Sequence, residues 1–183
     1  MFFRKIKIKL LLTYNERSII MFMKKLMLFT CLSLFSATAI LAQDFEYIGA
    51  AKCKMCHNKS KTGAQYKKWA AGKHAKAMDV LKGAEKKDPK CIKCHSTYGS
   101  VDKDLIATLT LEEGVSCESC HGPGSAYKPN SIMKSRKKSL AKGLILPTEE
   151  LCIKCHNSES PNFKGFNYKE YLKKIAHPVP VID

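Results

Sequence analysis

Four Cys-x-x-Cys-His pentads contain most of the residues in this sequence that could do chemistry. They use eight of the nine cysteines. In chain order they are Cys53–His57, Cys91–His95, Cys117–His121 and Cys152–His156. Two cysteines spaced by two residues can form thioether bonds to the two vinyl groups of one haem, and the adjacent histidine then reaches the iron from the same side. The pattern predicts four covalently bound haem c groups.

Each residue of a pentad has one predicted role. The attachment cysteines are Cys53, Cys56, Cys91, Cys94, Cys117, Cys120, Cys152 and Cys155, and the proximal iron ligands are His57, His95, His121 and His156. Zinc sites and disulfides are the alternative interpretations. A zinc site needs no histidine directly after the second cysteine, yet all four pentads have one, although only 6 of 183 residues are histidine. The pattern therefore favours haem.

Outside the pentads only two histidines remain, His74 and His177. Because haem iron accepts a second histidine or a methionine, we expect both to be distal ligands. Two irons are then left without a histidine partner. Met133 is the best methionine candidate, with packing against a haem as its alternative role. Met55 and Met78 are expected to pack, which leaves at least one iron as a candidate for five-coordination.

The N-terminal part has the pattern of a secretory signal peptide. Two lysines at 24 and 25 precede the apolar run Leu26–Leu41, and Ala42 is the expected last residue removed. Residues 1–42 are thus predicted to be an upstream extension and signal peptide, which removes Cys31, and residues 43–183 to be the functional domain. The protein is expected to be exported to the periplasm. An uncleaved segment that tethers it to the membrane is the alternative.

The basic composition does not indicate nucleic-acid binding. Residues 43–183 carry 25 lysines and arginines against 15 acidic residues, and ionised haem propionates would offset much of this excess. Residues 127–142 are the most basic stretch. We interpret them first as a solvated helix face. Docking of an acidic partner is the more specific alternative.

The elements that must position the pentads are short. Residues 62–82 read as a helix broken at Gly72, and residues 105–111 as a short strand pair or an extended loop. Helices are expected after Thr148, carrying the fourth pentad, and over residues 167–176, with a loop between them. The predicted fold is mainly α, a small multihaem cytochrome c with short helices and long loops around four haems and little or no sheet.

No stretch of the sequence supplies an ordinary apolar core. There is one tryptophan, and four haems would leave about 35 residues for each, so side chains would pack mainly on cofactor faces.

Two strings resemble motifs of a known family. Residues 73–78 (KHAKAM) follow Trp69, and residues 114–125 (GVSCESCHGPGS) surround the third pentad. Both are similar to motifs of the tetrahaem cytochrome c-554 family, electron carriers associated with hydroxylamine oxidation. The resemblance runs from about residue 47 to residue 157 and includes all four pentads in order.

The resemblance implies a mainly helical fold, haems in closely stacked pairs and mostly bis-histidine irons. It also implies an open iron at His95, with His74 serving the haem of His121 and His177 serving the haem of His156. The family has a distal histidine after its Gly-Pro-Gly turn. Residues 127–151 contain none, so Met133 is the expected substitute at the first haem.

These inferences predict an exported tetrahaem electron carrier rather than an enzyme. It would pass single electrons between a donor and an acceptor redox protein in nitrogen-compound or respiratory metabolism, and a membrane-associated partner is one candidate. The alternative is a haem enzyme or small-ligand binder, for example in nitric oxide reduction, at the iron of His95, where Tyr98 is a candidate proton donor. A third interpretation is a subunit whose haems abut those of a partner.

Overall fold

The computed structural model describes residues 21–25, 27 and 45–179. The chain divides into two units, Met1–Gln43 and Asp44–Asp183. In the first, residues 21–25 and 27 are helical, and most of the predicted signal peptide, including Ala42, lies outside the described residues. No helix among those described has the length and apolar character needed to cross a bilayer. Cleavage after Ala42 and export stay predictions.

Short helices joined by loops make up residues 45–179. The α-helices are α1 (Ala50–His57), α2 (Gln65–Ala71), α3 (Pro89–His95), α4 (Thr97–Ser100), α5 (Cys117–His121), α6 (Asn130–Met133), α7 (Arg136–Ala141), α8 (Glu149–Cys152) and α9 (Tyr168–Ile175). Single-turn and two-turn 3₁₀ helices cover Ser60–Thr62, His74–Val80, Gly83–Lys87 and Lys103–Leu105. The predicted mainly α fold of short helices is confirmed.

Pairing of extended segments is minimal within residues 45–179. One isolated parallel bridge joins Tyr47 to Ile106, and the Tyr47 amide donates to the Leu105 carbonyl at 2.7 Å. The stretch 105–111 is therefore an extended loop rather than a strand pair. Its Leu109 side chain is buried.

A glycine ends the helix that the sequence predicts over residues 62–82. Helix α2 stops at Ala71, and Gly72 is extended, with φ −81° and ψ 167°. The chain then resumes as the 3₁₀ helix His74–Val80. The predicted break at Gly72 is confirmed, and His74 consequently begins a separate helix.

The two helices predicted near the C-terminus are confirmed in position. Helix α8 begins after Thr148, but the Thr148 hydroxyl does not cap its backbone. It ends at Cys152, so the rest of the fourth pentad lies in turns, and the prediction that this helix carries the whole pentad is wrong. Helix α9 begins after Asn167, whose side chain accepts from the Glu170 amide at 3.2 Å.

Few apolar side chains are buried. Among the described residues they are Ile48, Ala50, Met78, Leu81, Leu109 and Tyr127. The largest fully buried side chain is instead the carboxylate of Glu118, at 2% exposure. So small an apolar core needs support from other groups, which favours the prediction that haem faces take its place.

Candidate functional site

Three of the four pentads lie wholly on helices. The first is on α1, the second on α3 and the third forms all of α5. Residues three apart on a helix share one face, so both cysteines of a pentad point to the same side and the histidine follows directly. The fourth pentad begins at the end of α8 and reaches a similar turn without a continuous helix.

No disulfide joins any of the eight pentad cysteines. Among the described residues, no three histidine, cysteine or acidic side chains converge as a metal-ion site would require. The described geometry thus contains neither the disulfides nor the zinc centres that were the alternatives to haem.

Side-chain interactions link the first pentad to the third and the fourth to the second, and an electrostatic interaction links the third to the fourth. Interaction with Cys117 is the main cause that raises the pKa of Cys53. Burial raises the pKa of Cys155 to about 12, with Cys94 as the next contribution. Burial likewise raises the pKa of Cys120 to about 11, with a smaller contribution from Cys152. The first pentad therefore neighbours the third, the third neighbours the fourth, and the fourth neighbours the second.

Three of the four predicted proximal histidines make the same kind of contact through Nδ1. Nδ1 of His95 lies 2.7 Å from the Ala77 carbonyl oxygen. Because a carbonyl only accepts, this Nδ1 carries the proton and the lone pair is on Nε2. Nδ1 of His57 lies 3.3 Å from Oε1 of Gln65. In metal sites such a bond fixes the tautomer and the ring orientation of the ligand.

The third pentad shows the same arrangement. Nδ1 of His121 lies 3.4 Å from the Ile145 carbonyl. Three of the four predicted proximal histidines thus point Nε2 away from a backbone or amide acceptor.

The two spare histidines each face a pentad histidine. The ring centres of His74 and His156 are 6.1 Å apart, and those of His177 and His121 are 5.8 Å apart. This reverses the pairing that the family resemblance implied, in which His74 served the haem of His121 and His177 that of His156. The reversal follows from the fold, because Gly114 and Val115 hold the backbone of His74, while the chain after α9 brings His177 to α5.

These separations suit one iron between each pair of rings. A metal–imidazole bond is about 2.0 Å, and with half a ring on each side two axial imidazoles have centres about 6 Å apart. Nδ1 of His177 is also buried without a hydrogen-bond partner among the described residues. A buried polar atom of this kind needs a partner, and an iron beside it is one. The residues therefore fit the group.

Burial prepares three of these four rings for ligation. It lowers the pKa of His74, His121 and His156, with the neighbouring His156 contributing at His74. A lowered pKa keeps an imidazole neutral, which is the form that binds metals.

His57 and His95 have no ring contact with a second histidine in the described part of the chain. Met133, the predicted substitute ligand for the first haem, is the last residue of α6. Its ligation stays a prediction, as does the open iron at His95.

A buried carboxylate inside the third pentad was not identified from the sequence. One oxygen of Glu118 accepts from the amides of Ile48 and Gly124 at 3.0 and 2.6 Å, and the other from Gly49 at 2.8 Å. Glu113 accepts from Ala50 at 2.6 Å. The two glutamates thereby attach the start of α1 to the third pentad. The only signal in the sequence was the position of Glu118 inside the conspicuous string.

Two aromatic side chains beside the fourth pentad were also missed. Phe166 stacks on the His156 ring at 4.9 Å between centres and an angle of 17°. Tyr171, on α9, lies 6.2 Å from the same ring. Together they pack against the His156 ring.

Comparison with known proteins agrees with this site. The sequence profile of the family described as "Cytochrome c554 and c-prime" matches residues 52–122, which include the first three pentads. Cytochrome c-554 of Nitrosomonas europaea is 33% identical over 165 residues, covering 73% of this chain and 68% of that protein. No solved structure matches the chain. The chain belongs to the cytochrome c-554 family and is therefore a c-type cytochrome with covalently bound haem.

Proposed function

We propose that this protein is an exported tetrahaem cytochrome that transfers single electrons between a donor and an acceptor protein, in nitrogen-compound or respiratory metabolism. The observation that carries the proposal is the pair of histidine couples, His74 with His156 and His121 with His177, each at the spacing of two axial ligands. An iron with both axial positions filled by protein exchanges electrons without binding a substrate.

The proposal assigns each pentad one haem. The paired cysteines attach the porphyrin, the pentad histidine is the proximal ligand, and the bound haem supplies one-electron redox chemistry. The protein's own residues orient the rings of His57, His95 and His121 through Nδ1, and burial lowers the pKa of His74, His121 and His156, which favours their neutral form. His74 and His177 are proposed as distal ligands, and Met133 as the candidate for the first haem.

The neighbouring thiols support a route through the molecule. The interactions of Cys53 with Cys117, Cys120 with Cys152 and Cys155 with Cys94 support a proposed order of first, third, fourth and second pentad. A continuous row of this kind is what an electron carrier needs, because each haem would have a near neighbour. Electrons would then enter or leave at the two ends of the row, which are the first and second haems, or at the third or fourth haem between them.

A second candidate is small-ligand binding or reduction at His95. The described ring contacts give this histidine no opposing imidazole, which favours an open iron there. Tyr98, the candidate proton donor, has its ring covered by Nζ of Lys103 at 3.6 Å. This contact involves the face of the ring and does not connect the Tyr98 hydroxyl to His95, so electron transfer is our main proposal.

The spectroscopic test compares the holoprotein with His177→Ala. We expect reversible one-electron titrations in the native protein, and in the variant one additional high-spin haem that binds carbon monoxide. Val179→Ala, an exposed change two residues along, is the matched control and should leave the spectrum as it was. A His177→Ala spectrum identical to the native one would reject this ligation. Catalytic consumption of nitric oxide by the native protein would favour the second candidate instead.

A further inference from the structure

A positively charged surface follows the third pentad. We define the basic face by its cations and its exposed apolar side chains: Lys134, Arg136, Lys137, Lys138, Leu140, Ile145 and Leu146. No acidic residue occurs between Glu118 and Glu149. Among the described residues the one ion pair, Lys93 with Glu159, lies elsewhere. Within the described residues, no acidic side chain therefore forms an ion pair with the cations of the basic face.

The fold turns these cations toward solvent. Helix α7 is held by Ser139, its buried residue, whose hydroxyl donates to the Ile132 carbonyl at 3.0 Å. The other five residues of α7 are exposed. Helices α6 and α7 have four and six residues, too few for the long amphipathic helix that lies in a membrane surface. Residues 128–148 also contain no aromatic side chain on which a nucleic-acid base could stack.

The same face reaches the third pentad through backbone contacts. The Ile145 amide donates to the His121 carbonyl at 3.0 Å, and the Ile145 carbonyl faces Nδ1 of His121 at 3.4 Å. The carbonyl of Gly143 lies 2.7 Å from where a Cβ on Gly122 would be. Ile145 is itself 41% exposed. Ile145 would thus be the one residue between a docked partner and His121, a proposed iron ligand.

We propose that the basic face is the docking surface for an acidic electron-transfer protein, and that the electron crosses there between the partner's redox centre and the haem of His121. One electron leaves the reduced partner and reduces the ferric iron to ferrous, with no bond made or broken. Charge complementarity determines the choice of partner, because exposed cations beside a few exposed apolar side chains suit a weak, steered encounter. The proposal rests on the proposed electron-carrier function.

The test measures reduction of the oxidised holoprotein by a reduced plant-type [2Fe–2S] ferredoxin. This acidic protein is a one-electron donor of low reduction potential and can reduce c-type haem. The variant is Arg136→Glu, Lys137→Glu and Lys138→Glu together. The control is Lys86→Glu, Lys87→Glu and Lys90→Glu, three exposed residues before the second pentad with the same change in net charge. Binding of oxidised ferredoxin is measured alongside.

At low ionic strength we expect the bimolecular rate constant and the binding affinity to fall about tenfold or more in the variant, and less than about threefold in the control. In 1 M salt, where the Debye length is about 3 Å, the three proteins should converge. A milder variant, Lys137→Gln with Lys138→Gln, should show a smaller loss of rate constant and affinity. It tests the proposal even if the charge reversal unfolds α7.

An equal loss in variant and control would overturn the proposal, since net charge alone would then explain it. Binding of the native protein and the variant to phosphatidylserine vesicles is compared as well. If the variant no longer binds these vesicles but is reduced by ferredoxin at the native rate, the proposal is overturned, and the basic face is a membrane-binding surface instead. Failure of ferredoxin to reduce any haem of the native protein would instead reject the electron-carrier proposal itself.

Discussion

The carboxylate of Glu118 joins three separate parts of the chain. It lies between the two cysteines of the third pentad, and its oxygens accept from residues 48, 49 and 124. Burial raises its pKa, while these hydrogen bonds act in the opposite direction. A single side chain thus sets the position of α1, and with it the first pentad, against the third.

Glu118→Gln should destabilise the holoprotein by about 1–3 kcal/mol, because an amide nitrogen would replace an accepting oxygen and leave one buried backbone donor unpaired. Thermal unfolding followed in the Soret band measures this. Glu112→Gln, an exposed neighbour, is the control. Equal thermal unfolding midpoints for Glu118→Gln and Glu112→Gln would contradict the role of Glu118 in joining α1 to the third pentad.

Glu113 should give the protein a pH-dependent loss of stability. Burial is the main cause that raises its native pKa, and the nearby Glu118 adds to it. A raised native pKa means that the folded state binds more protons, so this contribution is present below the ordinary value of about 4.3 and is lost as pH rises through the native value.

Comparing unfolding midpoints of the native protein and Glu113→Gln across this range isolates the effect. The unfolding midpoint of Glu113→Gln relative to that of the native protein should rise as pH rises. A constant difference would show that Glu113 does not titrate in this window.

Single residues were predictable where chemistry fixes their spacing. The pentads could be assigned from the sequence because thioether attachment requires that pattern. The partner of each spare histidine could not, because His74 and His156 are 82 positions apart and only the folded chain brings their rings together. Glu118 was missed because a charged residue is ordinarily expected at the surface.

At the scale of elements, the turn before α5 positions a distal histidine. Gly114 has φ +66°, and a Cβ there would lie 2.6 Å from the His74 carbonyl oxygen. The same carbonyl accepts from the Val115 amide at 2.9 Å. The glycine thus allows the third pentad's flank to pack directly on the backbone of the proposed ligand to the fourth haem.

Gly114→Ala should therefore change the ligation of one haem as well as stability. The left-handed backbone costs about 1–2 kcal/mol with a side chain, and the contact would push His74 away from His156. We expect added high-spin signal in the electron paramagnetic resonance spectrum. Gly83→Ala has a positive φ too, but no atom within 4 Å of its Cβ, so it should lose stability without a change of spin state.

Helices were predictable where local signals mark their ends. Gly72 and Asn167 bounded α2 and α9 as expected, because both act within a few residues. The early end of α8 was not predictable, since tertiary contacts decide whether so short a helix continues.

For the whole molecule, the cofactors replace the core. The described chain buries six apolar side chains, and its α-helices have between four and eight residues. Helices this short are marginal alone in water. Covalently bound haems at the centre of the pentads would supply the apolar surface that the side chains do not.

Chain produced without haem attachment should accordingly lose most of its helical structure. Far-ultraviolet circular dichroism would show a weak helical signal and no cooperative thermal transition, against a clear transition for the holoprotein. A haem-free chain that unfolds cooperatively with native helix content would contradict this dependence.

The central claim is that each of the four pentads carries one covalent haem. The mass of the purified intact protein under denaturing conditions, which remove any cofactor not covalently attached, measures this directly. We expect the mass of the processed chain plus four haems. A mass corresponding to fewer than four would contradict it.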